Sequence, residues 1–234
     1  MSTSMKGLLR QVLTKELLVD LEDGLRAEAL KAHSIVRDHT SLDKKRARES
    51  EGQLRFRMME QRFEAVCQMH GGRLLDGGVI PHTNLKVFQP FLRFEFEQQG
   101  IIFGLAALPE PKTIPVKNKS RAAGVSLNYY LTPRLAFDAA SPKQGDIFVL
   151  LLVSRDRERA GQIEEVAVGI IDSKYESLLF YEALEEFLSG HADEPVAPLQ
   201  PPAPETRVTL KKQVTPFVPP EAPDVEGDKE TGTK

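Results

Sequence analysis

The 234-residue sequence contains one cysteine and no tryptophan. A lone Cys67 cannot build a disulfide framework or a multi-cysteine zinc site, and it suits a reducing compartment, so a cytoplasmic location is expected. Long apolar runs are missing too. The longest, Ile147 to Val153, falls far short of the roughly 18 residues of a membrane helix and reads as a buried strand. The opening residues are broken by Lys6, Arg10, Lys15, Glu16 and Asp20, so neither an export signal nor a membrane partner is expected. Charge of one sign is also lacking. The 31 Lys+Arg against 34 Asp+Glu exclude a wholesale polybasic nucleic-acid binder, although the front of the chain is mildly basic and the back acidic. Phosphate-loop, dinucleotide-fingerprint, zincin and nucleophile-elbow motifs are absent, which argues against the commonest ATPases, dinucleotide enzymes, zinc proteases and serine hydrolases. The five histidines never pair at helical ligand spacing. His70, three residues after Cys67, reads as a packed ring beside a buried thiol.

What is present predicts an α+β fold: N-terminal helices, a mainly antiparallel β-meander, a C-terminal helix and a disordered Pro-rich tail. Leu9, Leu13, Leu17, Leu21 and Leu25 recur at helical spacing and predict an amphipathic helix over 1–40. A globular domain over 41–190 opens with a second helix, N-capped by Thr40 or Ser41 and stopped at Gly71 and Gly72. Its first half, Asp43 to Gln53, is almost without apolar residues and must be solvated or lie on something charged. Leu92, Phe94 and Phe96 alternate with Arg93, Glu95 and Glu97, and Ile101 to Leu108 returns after a turn, which predicts a hairpin. Strands are also expected over Val125 to Leu131, Asp146 to Val153 and Ile163 to Ile171, and a last helix over Ser173 to Leu188. From residue 191 the density of proline and the scarcity of apolar side chains predict a disordered tail, in which Arg207 to Val218 reads as a linker or a strand-adding motif.

Three functional readings follow. The leucine stripe, coupled to the charged second helix, suggests a non-enzymatic interaction or accessory protein that docks another protein or itself through Leu9, Leu13, Leu17, Leu21 and Leu25, with no cofactor. The second reading starts from Asp146 at the head of one strand and Asp172-Ser173-Lys174 at the foot of the next. This resembles the PD-(D/E)xK nucleases, with Gly145 where that family has proline. The resemblance implies Asp146 and Asp172 as Mg²⁺ ligands and Lys174 as the catalytic amine. On the competing reading Ser173 and Glu176 form a helix capping box, and Lys174 faces water. The third reading is nucleic-acid-backbone binding by Lys112, Lys117, Lys119 and Arg121, in a segment with no acidic residue between Glu110 and Asp138. No aromatic residue lies among those cations in the sequence, so base stacking is not expected there. A second basic stretch, Lys44 to Arg48 followed by Arg55, Arg57 and Arg62, is interleaved with glutamates.

Overall fold

A computed structural model describes residues 2–75, 78–80, 84–96, 99–131 and 145–189, with side chains from Met5 onward except those of residues 96 and 99. The proposed tail, including 207–218, lies outside the described residues, as does His82.

The N-terminal third forms three helices: α1 (Ser2–Val12), α2 (Lys15–His39) and α3 (Lys44–Met69). The expected single helix over 1–40 is therefore two. Thr14 divides them: its backbone is extended and its hydroxyl accepts from the Leu17 amide at 3.3 Å. The cap of α3 is Asp43, rather than Thr40 or Ser41. Its carboxylate accepts from the Lys45 and Arg46 amides, while the Thr40 hydroxyl donates back to Val36 O at the end of α2. At the far end of α3, Gly71 takes φ +87°, the left-handed conformation that ends helices and that glycine adopts without a Cβ clash.

Six strands form one sheet in sequence order: β1 (Arg73–Leu74), β2 (Leu92–Phe96), β3 (Gln99–Leu108), β4 (Ile147–Arg155), β5 (Ile163–Ile171) and β6 (Leu178–Ala183). The expected β2–β3 hairpin is present, with Leu92 opposite Phe103. The meander is interrupted once, because β3 and β4 are parallel, Ile101 beside Ile147 and Leu108 beside Ser154. Parallel neighbours need a long crossover. Residues 109–146 supply it and include α4 (Lys119–Val125) and a 3₁₀ turn (Ser126–Tyr130). The strand expected over Val125 to Leu131 is therefore helical; its apolar alternation coincides with a helical face on which Val125 and Asn128 are buried. The helix expected over Ser173 to Leu188 is also corrected: a turn, then β6, then only a short α5 (Leu184–Leu188).

Two apolar layers sandwich the sheet. On one face α1, α2, α3 and α5 pack on Phe103, Val149, Leu151 and Val168, with the Phe63 and Phe103 rings 5.2 Å apart and tilted by 52°. On the other, α4 and the segment around Phe91 cover Ile102, Phe148, Leu150 and Leu152. The strand β4 is thus buried on both sides, as its unbroken apolar run requires. No helix among the described residues is long and apolar enough to cross a membrane.

Candidate functional site

The five stripe leucines are 0–1% exposed and belong to the same core cluster as the sheet's helix-facing residues. Burying each contributes about 1.5–3 kcal/mol to the fold. A side chain committed to that interior cannot present a docking surface, so the stripe expected for partner contact is a core stripe.

Asp146 and Asp172 flank one end of the sheet, and each carboxylate is already engaged. Asp146 meets Arg93 in a two-pronged ion pair, Nε to Oδ2 at 2.7 Å and Nη2 to Oδ1 at 3.1 Å, a geometry that suits the planar guanidinium. The pair raises the Arg93 pKa, the Asp146 hydrogen bond contributing most. Gly100 makes room for it: a Cβ there would lie 2.7 Å from both Arg93 Nε and Asp146 Oδ1. Asp172, 6% exposed, accepts from the Glu176 amide at 2.7 Å and the Ser177 hydroxyl at 3.0 Å. Burial works to raise its carboxyl, but those hydrogen bonds and others from the Ser177 and Tyr175 amides outweigh burial and hold it below the ordinary carboxylate range. Asp172 therefore builds the turn into β6, and the Ser173–Glu176 capping box expected at a helix start does not form. Lys174 is exposed on that turn. Among the described residues no group of three or more His, Cys, Asp or Glu is placed to hold a metal ion. Cys67 and His70 also part company: the thiol is buried, which pushes its pKa up, while His70 Nε2 lies 2.7 Å from Asp20.

The basic loop does not converge on one anion. Lys112, Lys117 and Lys119 are exposed, and Lys117 Nζ sits 5.6 Å from the centre of the Tyr175 ring. Arg121 turns inward to 8% exposure, where burial lowers its pKa and its Nε has no hydrogen-bond partner.

The convergence of cations occurs elsewhere. A cavity of about 400 Å³ is lined by Arg48, Arg55, Leu108, Pro109, Arg155 and Arg157. Arg48 and Arg55 stand seven residues apart, two turns of α3, and so share a face. Leu108 ends β3 and Arg155 ends β4, which places the cavity at the carboxyl ends of the parallel pair, where ligands collect in open α/β sheets. The β4–β5 register shifts between Ser154 and Arg155, a bulge of the kind that re-aims a side chain. Asp156 orders the following turn by accepting from the Glu158 and Arg159 amides, and so steadies the segment carrying Arg157.

Acidic side chains only partly match these guanidiniums. Arg157 pairs with Glu110. The Arg55 side chain is 14% exposed, its Nη1 lies 4.0 Å from Glu51, and that nitrogen has no hydrogen-bond partner. Glu51 is shared with His33 at 3.0 Å. Burial lowers the Arg55 pKa most, the like charge of Arg155 lowers it further, and Glu51 opposes both. A guanidinium nonetheless stays charged in a protein, so the cost is stored as destabilisation. Arg48 and Arg155 have no carboxylate partner among the described residues. The spacing of Arg48 and Arg55 was visible in the sequence. Their meeting with Arg155 and Arg157 was not, because it depends on the parallel β3–β4 pairing.

The chain matches no protein-family model, no curated protein sequence and no solved structure.

Proposed function

We propose that the protein is a non-enzymatic binding protein whose arginine cavity takes a phosphate-bearing ligand. One observation carries this reading: Arg55, its side chain 14% exposed, has no hydrogen-bond acceptor at Nη1, only Glu51 at 4.0 Å, and is held beside a like-charged Arg155. Folding gains little from this arrangement, since a mostly buried Nη1 without a hydrogen bond is costly and Glu51, shared with His33, offsets its charge only in part. An incoming anion would supply the missing acceptors. Glu110 is spent on Arg157 and Glu51 lies nearest Arg55, so Arg48 and Arg155 are left in surplus. A phosphate monoester, with a charge of about −1.5 to −2 at neutral pH, matches that surplus and offers several acceptor oxygens. Arginine forks recognise such oxygens two at a time. Leu108 and Pro109 provide an apolar wall against which the ester's organic part can rest.

The test is calorimetric titration with phenyl phosphate, inorganic phosphate and, as a control, chloride at constant ionic strength. Saturable binding of the phosphates is expected, weakened at least about tenfold by Arg155→Gln, the effect of losing one to two charge-assisted hydrogen bonds. Equal heats for phosphate and chloride, or binding unchanged in Arg155→Gln, would exclude the reading.

A further inference from the structure

A second surface, sharing no residue with the cavity's lining, combines cations with aromatic rings that lie far apart in the sequence. The Ser120 hydroxyl accepts from the Phe88 amide at 2.8 Å, and Asn118 donates to Gln89 at 2.9 Å. These bonds fasten the segment carrying Phe88 to the first turn of α4, beside Lys117 and Lys119. Phe88 is 79% exposed, extreme for a phenylalanine tethered in this way. From Lys119 the chain stays helical through α4 and the 3₁₀ turn. Its inner side buries Ser120, Ala123, Val125 and Asn128. Its outer side runs from Lys119 through Ser126 to Tyr129 and Tyr130, which are half exposed and meet edge to face at 5.7 Å. Lys119 and Ser126 stand seven residues apart along α4, and Ser126 and Tyr129 three apart in the 3₁₀ turn, so these three share one side, with Tyr130 joined to it through its ring contact with Tyr129. A cation stands at one end of this strip, next in sequence to the Ser120 that holds the Phe88 amide, and a tyrosine pair stands at the other.

We infer that this strip binds single-stranded nucleic acid, stacking bases on Phe88 and the tyrosine pair while Lys117 and Lys119 contact backbone phosphates. The argument rests on charge and ring chemistry together. No carboxylate occurs in the sequence between Glu110 and Asp138, so the strip's own segment offers phosphate no repulsion. Exposed rings beside lysines are the arrangement that single strands use, because every base has a stacking face and every linkage a charge. A folded protein partner would call for a broader apolar surface, whereas here the rings are separated by Ser126 and partly exposed Ala122. An A-form or B-form duplex keeps its bases stacked on each other and cannot use the rings. The inference stands independently of the arginine cavity and adds a second kind of ligand.

The experiment is fluorescence anisotropy of a labelled twelve-nucleotide oligothymidine and oligouridine with the full chain, across a potassium chloride series. Binding is expected to weaken with salt, with a log–log slope of about −1.4 for two lysine contacts. Phe88→Ala should weaken it about tenfold, in the range of one lost base–aromatic stack, and Phe88→Trp should restore it. Lys117→Glu with Lys119→Glu should flatten the salt slope. Because Phe88 and both lysines are exposed, circular dichroism should be unchanged in all three variants. Arg55→Met should leave oligonucleotide affinity intact. Loss of binding in Arg55→Met but not in Phe88→Ala would assign the oligonucleotide to the cavity and overturn the inference. So would equal affinity for duplex and single strand, no saturable binding at low salt, or binding only to phosphatidylglycerol vesicles.

Discussion

The two ends of β4 treat charge in opposite ways. At its start, Asp146 is locked to Arg93, Asp172 is filled by its own turn, and Asn128 is fully buried yet satisfied. The Asn128 amide donates to Phe148 O at 2.9 Å and Ile171 O at 2.8 Å, and its oxygen accepts from the Phe148 amide at 2.9 Å. The β4–β5 pairing begins at Leu150 and Gly169, so this one side chain completes the ladder where the strands separate. At the end of β4 the reverse holds: four arginines converge, two lack a carboxylate partner among the described residues, and one buried nitrogen there has no acceptor. Titratable residues in a promising pattern are therefore a poor guide when every lone pair is already used. A buried donor left without an acceptor where several like charges converge is the better mark of a place where something binds; Arg121 Nε lacks that convergence.

The contrast can be broken in three ways. The largest effect is expected at the satisfied end. Asn128→Leu removes three hydrogen bonds and strands buried backbone groups, so urea unfolding should show a loss of about 3 kcal/mol or more. A loss under about 1 kcal/mol would mean that this end is held by packing alone. At the unsatisfied end the sign should reverse. Arg55→Met keeps an apolar stem and removes a repelled charge, and should raise stability by about 1 kcal/mol while abolishing phosphate binding. A fall in stability would show that Arg55 is a structural group. The smallest effect is the acid response. Asp172 has its folded pKa below its unfolded value, so its contribution is present above about pH 4 and is lost as pH falls through the lower folded value. Asp172→Asn should therefore flatten the decline of stability below pH 4, and an unchanged decline would separate the turn from the acid response.

The sequence made the elements with a single strong period legible. The β2–β3 alternation and the two-sided run of β4 were both read in the right place. Elements whose apolar spacing fits two periods were misassigned. In Val125 to Leu131 the residues at three-step spacing are the buried ones. In Leu178 to Leu188 the apolar residues satisfy both spacings. What decides there is the turn at Asp172, whose side chain folds onto the Ser177 hydroxyl and returns the chain as β6. The candidate site was legible only by halves, since Arg48 and Arg55 share a helix but Arg155 and Arg157 arrive across a crossover. The aromatic strip was hidden for the same reason: the Phe88 amide reaches Ser120 through a hydrogen bond between distant segments.

The cavity's position has a mechanical consequence. Arg48 and Arg55 belong to the helical layer, and Arg155 to the central strand of the sheet. An anion gripped by all three would act as a rivet between the layers, so the folded lifetime of the chain would track the supply of its ligand.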